Sequence, residues 1–488
     1  MHLASRSYLN LSLRLLPFAL LGTICIFQLF SLWTIYRAGD FGFFDLGLIN
    51  DWMTNALRGS PFLVTNTQFS HSTYNFTPSL LLFAPLWLWD NQFILVIVTL
   101  LTFYAGIFLI LCEAQRILSP QLNPAWLCLL MLALTICISE NRFTRYVLMY
   151  PHFETIFMLP AGVLFLFINR TGKMFRILSV PVVLFACGLR QDAGFYLFTF
   201  IIATALAIPG SLKSIWQRVW LPLLITGASA IAAAYGATPA LARDASGLRF
   251  WKYMGNTPPD VATYIISHPK EIYAAIQISA FADLNKAFGW LPLLTPSGWL
   301  ANLAAWPMYL ARPDEFMAKR LLLLYNSAMI IPGMLIATIG AIRYGFLFAG
   351  RISLTMPRQF KILPHVFSIF VSIFLIKPTA QYRPWLSLFR ADGDLFNSAQ
   401  IPIRNIRRTC SIDSVASDHY GITLTPNSLL RYTLPNVHKS DIVLVTDRIQ
   451  YAPEAPDPLV LRNSLKGYRI YTKTDRFTLW VRNDLDCK

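Results

Sequence analysis

Charge is scarce in this chain. Asp, Glu, Lys and Arg make up 14% of its 488 residues, against 55% hydrophobic residues and a mean hydropathy of +0.49. That balance excludes a soluble domain of this size. Also missing are a Gly-rich phosphate loop, a cysteine–zinc spacing, a nucleophile elbow and any evident internal repeat. No basic run interleaved with stacking aromatics occurs, so the formal charge of +16 does not point to nucleic acid. The Lys and Arg residues fall largely in short loops between apolar runs, which is the positive-inside pattern of a membrane protein.

Apolar runs of about 17 to 25 residues, long enough to span hydrocarbon as helix, recur along most of the chain. The first, about Leu15 to Tyr36, follows Arg6 and Arg14 and has no small-residue cleavage site after it. It is expected to be a retained helix with its N-terminus inside rather than a signal peptide. Later spans are expected near 91–112, 124–139, 155–169, 174–189, 192–209, 219–237, 273–294, 297–311, 325–343 and 362–378. The loops this threading places inside carry Arg116, then Arg170, Lys173 and Arg176, then Lys213 and Arg218, then Arg343, Arg351, Arg358 and Lys361. About eleven spans put the C-terminus outside. The reading is an all-α polytopic membrane protein, residues 1–378, followed by a small extracytoplasmic α/β domain, residues 379–488. In the latter, "DIVLVTDR" (441–448) reads as a buried strand and "YRIYTKTDRFTLWVRN" (468–483) as a hairpin turning near Thr474-Asp475.

Two stretches of the first outer loop, about 37–90, read as interfacial helices. Pro78 to Trp89 is apolar but too short to span, and the segment around Asp45 carries Phe44, Leu48, Trp52 and Leu57 on one side. Among the seven cysteines, Cys25, Cys112, Cys128, Cys137 and Cys187 lie in apolar segments and act as small hydrophobes. Cys410 and Cys487 lie in the polar tail and could pair if that tail faces an oxidising compartment.

Polar groups near membrane depth are costly, so each is a site candidate. On the expected outer side these are Asp40, Asp45 and Asp51; His71 and Asn75; Arg142 and Arg145; His152 and Glu154 in "YPHFE"; and Arg190 with Asp192 in "LRQDAG". All sit near the outer ends of their segments, which suggests an outward-opening cavity. Asp40 and Asp51 also fit a helix cap and a solvated face. His152 and Glu154 fit interfacial groups satisfied by water or arginine, and Arg190 and Asp192 fit a mutual ion pair. Solvation alone gives no reason for Asp45 between Phe-Phe and Leu-Gly.

The same residues carry a resemblance. "FFDLGLINDWMTNALRG", "HSTYNFTPSLLLFAPLW", "YPHFETIFMLPAGVLFLF" and "GLRQDAGFYL" resemble, in order and spacing, the motifs of an uncharacterised family of bacterial polytopic membrane proteins grouped with the GT-C glycosyltransferases. "FGWLPLLTP", "YNSAMIIP" and "DIVLVTDR" resemble its later parts. Asn75, Gln191 and Tyr150 stand where that family has His, Glu and His. The resemblance implies a GT-C-like fold in the bacterial inner membrane and transfer of a sugar from a polyprenyl-phosphate donor to an acceptor hydroxyl on the outer face. An acidic residue of the first outer loop then acts as base, and Asp45 is the matching position. Arg190, with Arg37 or Arg58, would meet the lipid phosphate, and His71, His152, Glu154 and Asp192 would line the substrate site. Metal dependence is open: a divalent cation would need Asp45, His152 and Glu154 to converge. The expected partners are the lipid-linked donor and membrane lipid. The alternative is a lipid or solute transporter that uses the same polar groups as a path.

Overall fold

The computed structural model describes residues 2–41, 46–61, 63–65, 69–70, 77–170, 172–208, 210–241, 251–276, 278–310, 325–355, 362–379, 393–451 and 456–487. Asp45, His71 and Asn75 lie outside the described residues.

The chain is mostly helical, with one small sheet near its C-terminus. Among the described residues, three helices are long and apolar enough to cross a membrane: Asn10–Arg37, Ile94–Gln121 and Ser327–Ile352. A fourth crossing is made if Pro124–Glu140 and Arg142–Met149, bent by 46°, count as one. The bend has a local cause. Asn141 adopts an extended conformation, accepts from Thr144 N at 3.0 Å and donates to Cys137 O at 2.9 Å, ending one helix and capping the next. Other apolar helices are shorter; Ala193–Ala207, at 15 residues, covers about 22 Å, less than a hydrocarbon core of about 30 Å. Among the described residues the expected eleven spans are therefore not reached by length and composition. Helices Ile94–Leu118 and Met158–Asn169 cross in backbone contact, since a Cβ on Gly162 would lie 2.5 Å from Gly106 O.

The strands are β1 (Leu63–Val64), β2 (Phe69–Ser70), β3 (Ser414–Ser417), β4 (Leu430–Thr433), β5 (Ile442–Thr446), β6 (Tyr468–Lys473) and β7 (Phe477–Arg482). β1 and β2 pair with each other; the rest form one sheet in the order β4-β3-β5-β7-β6. β3 runs parallel to β4 and β5, while β7 is antiparallel to β5 and β6. β5 is buried but for Val445, which explains its apolar run Ile442–Val445, and β3 is buried throughout, its Ser414 and Ser417 hydroxyls bonded to Asp441 and Leu444 O. β7 alternates buried and half-buried residues, as a strand covered on one face does.

A disulfide joins Cys410 to Cys487, 77 residues apart, and so closes a loop around the whole sheet. Closing a loop of that length stabilises by about 4 kcal/mol in the chain-entropy treatment. Cys487→Ser should therefore lower the melting temperature of the purified protein clearly, and reductant should do the same to the wild type but not to the variant. Equal melting curves would remove the cross-link's contribution.

Helix Leu395–Thr409 turns Leu395, Phe396, Ala399, Ile403 and Ile406 inward. These residues belong to the same hydrophobic core as Leu32, Tyr36 and Phe93 at the top of the helical part. Phe396 lies 5.8 Å from Trp33 and 5.1 Å from Tyr36, ring centroid to centroid. The C-terminal unit and the helical part thus share a core across residue 379.

The first loop differs from its expectation at its first helix. Helix Leu48–Leu57 is enclosed, with Ile49 through Asn55 all buried, whereas an interfacial helix would leave one side open. The segment Pro78–Leu88 is a helix too short to span, of 3-10 form with Pro85 inside it. Leu82 and Leu88 stand 71% and 77% exposed, while Leu80 and Trp87 face the protein. An exposed apolar edge of this kind suits a lipid surface.

Candidate functional site

Two of the quoted motifs meet in space. "YPHFE" places Glu154 in the first turn of a 3-10 helix, Phe153–Phe157, that runs into helix Met158–Asn169. A carboxylate at such an N-terminus is favoured by the helix dipole. "GLRQDAG" forms the turn between helices Lys173–Cys187 and Ala193–Ala207, with Asp192 at the N-cap of the second. Arg190 Nη1 donates to Glu154 Oε1 at 2.6 Å, a pair separated by 36 residues in sequence. Arg190 also donates through Nε and Nη2 to both oxygens of Asp192, in the fork geometry a guanidinium favours. His152 Nδ1 meets the second oxygen of Glu154. The Arg190 guanidinium lies 5.9 Å from the Tyr196 ring centre.

Burial grades the cluster. The Glu154 side chain is 2% exposed, those of His152 and Arg190 12% each, and that of Asp192 41%. A buried carboxylate needs its charge met, and Arg190 meets that of Glu154. Asp192 is the member that faces outward. Two carboxylates surround the one guanidinium.

A third motif touches the same turn. Ser79, in the 3-10 helix Pro78–Leu88, donates through its amide to Gly188 O at 3.0 Å and through its hydroxyl to Phe185 O at 2.7 Å. Gly188 has no room for a side chain, because a Cβ there would sit 2.3 Å from Ser79 Oγ. Gly188→Ala should therefore cost about 1–3 kcal/mol by overpacking, and adding Ser79→Ala should return most of it. Thermal unfolding of the two variants checks this; a Gly188→Ala protein as stable as wild type would contradict the contact.

The ends of the helices also sort by chemistry. Gln92, at the start of helix Ile94–Leu118, donates to Ile422 O at 2.8 Å and Thr425 O at 2.9 Å in the C-terminal unit. At the other end of that helix, buried Glu113 pairs with Arg116 and with Arg170, the latter at 3.4 Å. Arg116 and Arg170 are among the residues expected inside, and they lie at the opposite end from the C-terminal unit.

The remaining predicted residues go elsewhere. Arg37 pairs with Asp394 and Arg58 donates to Ser428 O, so both contacts run to the C-terminal unit rather than to Arg190. Partial burial raises the Asp394 carboxyl, but bonds from Arg37 and Asn397 outweigh it and the net shift is down. Asp40 pairs with Arg448. Asp51 is not on a solvated face: it is 2% exposed, accepts from Thr65 N and Oγ1 at 2.9 Å each, and lies 3.6 Å from Arg431 Nε. Arg142 lies 3.4 Å from Asp283. Arg431, fully buried on β4, escaped the sequence reading; its one signal is a lone charge inside "LLRYTL".

The donor set does not suit a divalent cation as it stands. Among the described residues no group of three or more His, Cys, Asp or Glu side chains could hold a metal. One oxygen of Glu154 accepts from Arg190, whose guanidinium would repel a cation there.

No family model matches the chain, and no curated protein does. Solved structures similar to it along nearly its whole length include two of one protein. One is ArnT from Cupriavidus metallidurans bound to undecaprenyl phosphate, 9% identical with a TM-score of 0.44, covering 94% of this chain and 98% of that one. The other is the same protein in the apo state, 10% identical with a TM-score of 0.43, covering 95% and 98%. A likeness of this degree assigns no activity.

Proposed function

We propose that this chain is a membrane glycosyltransferase of the GT-C type, moving a sugar from a polyprenyl-phosphate donor to an acceptor hydroxyl at the outer face. The observation that carries the reading is the convergence of separate motifs: Glu154 and His152 from one, Arg190 and Asp192 from another, and Ser79 of a third against the same turn. Residues spread over more than a hundred positions have no need to meet around a buried carboxylate–guanidinium pair merely to fill a bundle.

In this reading the acceptor O–H gives its proton to the Asp45 carboxylate as its oxygen bonds to the anomeric carbon. The bond from that carbon to the donor phosphate breaks, and the polyprenyl phosphate leaves with the electron pair. Arg190 meets the charge that grows on the departing phosphate. It is already neutralised, so the phosphate takes the place of Asp192, the exposed partner, while buried Glu154 stays. Glu154 and His152 then serve by holding Arg190 in place, and His71 lines the sugar pocket. Arg37 and Arg58, tied to the C-terminal unit, are left out of phosphate binding. The exposed leucines of Pro78–Leu88 beside the turn give a prenyl chain an apolar approach. The disulfide in the C-terminal unit supports an oxidising, extracytoplasmic location for that unit and for the residues it touches.

Purified protein reconstituted with a labelled polyprenyl-phosphate sugar tests the reading directly. Release of the lipid phosphate with transfer of label to an alcohol acceptor is expected. Movement of the intact lipid across the bilayer without bond cleavage would replace the enzyme with a transporter.

A further inference from the structure

The C-terminal unit grips the first loop on both sides of residues 42–45. On the N-terminal side, Thr423 Oγ1 donates to Phe41 O at 3.2 Å, Tyr36 OH donates to Thr423 O at 3.2 Å, and Arg448 pairs with Asp40. Gly39, at φ +75°, is packed against Leu395 so closely that a Cβ would lie 2.9 Å from its side chain. On the C-terminal side, buried Arg431 donates to Asn50 O at 3.2 Å and to Thr54 Oγ1 at 3.0 Å, and faces Asp51. Its third partner, Asn427 Oδ1 at 3.0 Å, anchors it to its own unit. Thus helix Leu48–Leu57 and the turn after Arg37 are both fastened to one body.

We infer that the C-terminal unit is a positioning element for the first loop, with Thr423, Arg431 and Arg448 as its positioning residues. The inference rests on the proposed function for its consequence in catalysis, but the fastening stands apart from it. A soluble unit that only recognised an acceptor would have no need to bury an arginine against the loop's backbone. Fixing a loop before substrate arrives removes motion that would otherwise dilute the reactive geometry, and misplacement by about 1 Å costs on the order of a hundredfold in rate.

Loss of Arg431 threatens the fold itself, so the test uses Arg448→Gln and Thr423→Val at the other end of the grip. Full-length protein in nanodiscs is compared by amide hydrogen exchange over residues 37–57, with residues 150–165 as the internal reference. Exchange over 37–57 is expected to rise about tenfold in each variant while the reference stays put, since one or two bonds are lost locally. Turnover with the labelled lipid donor should fall about tenfold with KM for the donor unchanged, a split that simple loss of folded protein would not mimic in the exchange reference. Unchanged exchange over 37–57 overturns the inference whether or not sugar is transferred. Raised exchange with wild-type turnover overturns the positioning role. A wild-type protein that transfers nothing refutes the proposed function, and the exchange comparison then decides the fastening alone.

Discussion

Asp45→Asn should lower sugar transfer by about two to four orders of magnitude, the span typical of losing a general base, and leave the melting temperature near that of wild type. The amide keeps the size and shape of the carboxylate but cannot take the acceptor proton. The neighbouring carboxylates are expected to answer differently, which makes the comparison sharp. Asp40 acts through Arg448, so Asp40→Asn should match the modest loss of Arg448→Gln. Asp51 is buried and accepts two bonds from Thr65, so its replacement should appear first as lost stability. Initial rates at saturating lipid donor, set beside thermal melts for the three variants, separate the roles. If Asp45→Asn transfers sugar at the wild-type rate, the base lies elsewhere.

What could be read from the chain alone followed from how each signal is written there. Hydropathy marks helices without help, because an apolar run is a local property. His152, Glu154, Arg190 and Asp192 stood out for a related reason: charge at the edge of an apolar run is conspicuous. Their meeting could not be derived, since the contact between Glu154 and Arg190 depends on how two helical hairpins pack. The count of spans was harder. The span expected at 124–139 stops where Asn141 caps the next helix, but nothing local to that residue says whether the two helices bent there make one crossing or two. The hardest misreading was helix Leu48–Leu57, whose Trp52 and polar Asn50, Asp51, Thr54 and Asn55 mimic an amphipathic surface helix. Those polar groups are answered by residues far along the chain: Arg431 bonds to Asn50 O across 381 positions. No local pattern carries information of that range, and the domain boundary near 379 concealed it further by making the two partners look like separate bodies.

Arg431→Met should destabilise the protein by about 3–5 kcal/mol, the usual cost of removing one side of a buried ion pair. Methionine fills much of the same volume, so the loss comes from stranding the Asp51 charge and leaving Asn427 Oδ1 without its arginine donor rather than from a cavity. Two further measurements identify the stranded charge as the cause. The Asp51→Asn, Arg431→Met double variant should recover part of the loss, because the amide oxygen that replaces the carboxylate still accepts from Thr65 while carrying no charge. The penalty should also shrink on acidification. Burial already pushes the Asp51 carboxyl above its ordinary 3.8, with Arg431 pulling the other way. Without Arg431 the push is unopposed, and the folded protein binds a proton more readily than the unfolded chain at pH values above 3.8. Stability then falls as pH rises through that window, so the Arg431→Met protein gains on wild type between pH 7 and about pH 5. Melting curves at both pH values decide it: a penalty that is independent of pH and unrelieved by Asp51→Asn would mean that Arg431 holds the loop by shape and hydrogen bonds alone.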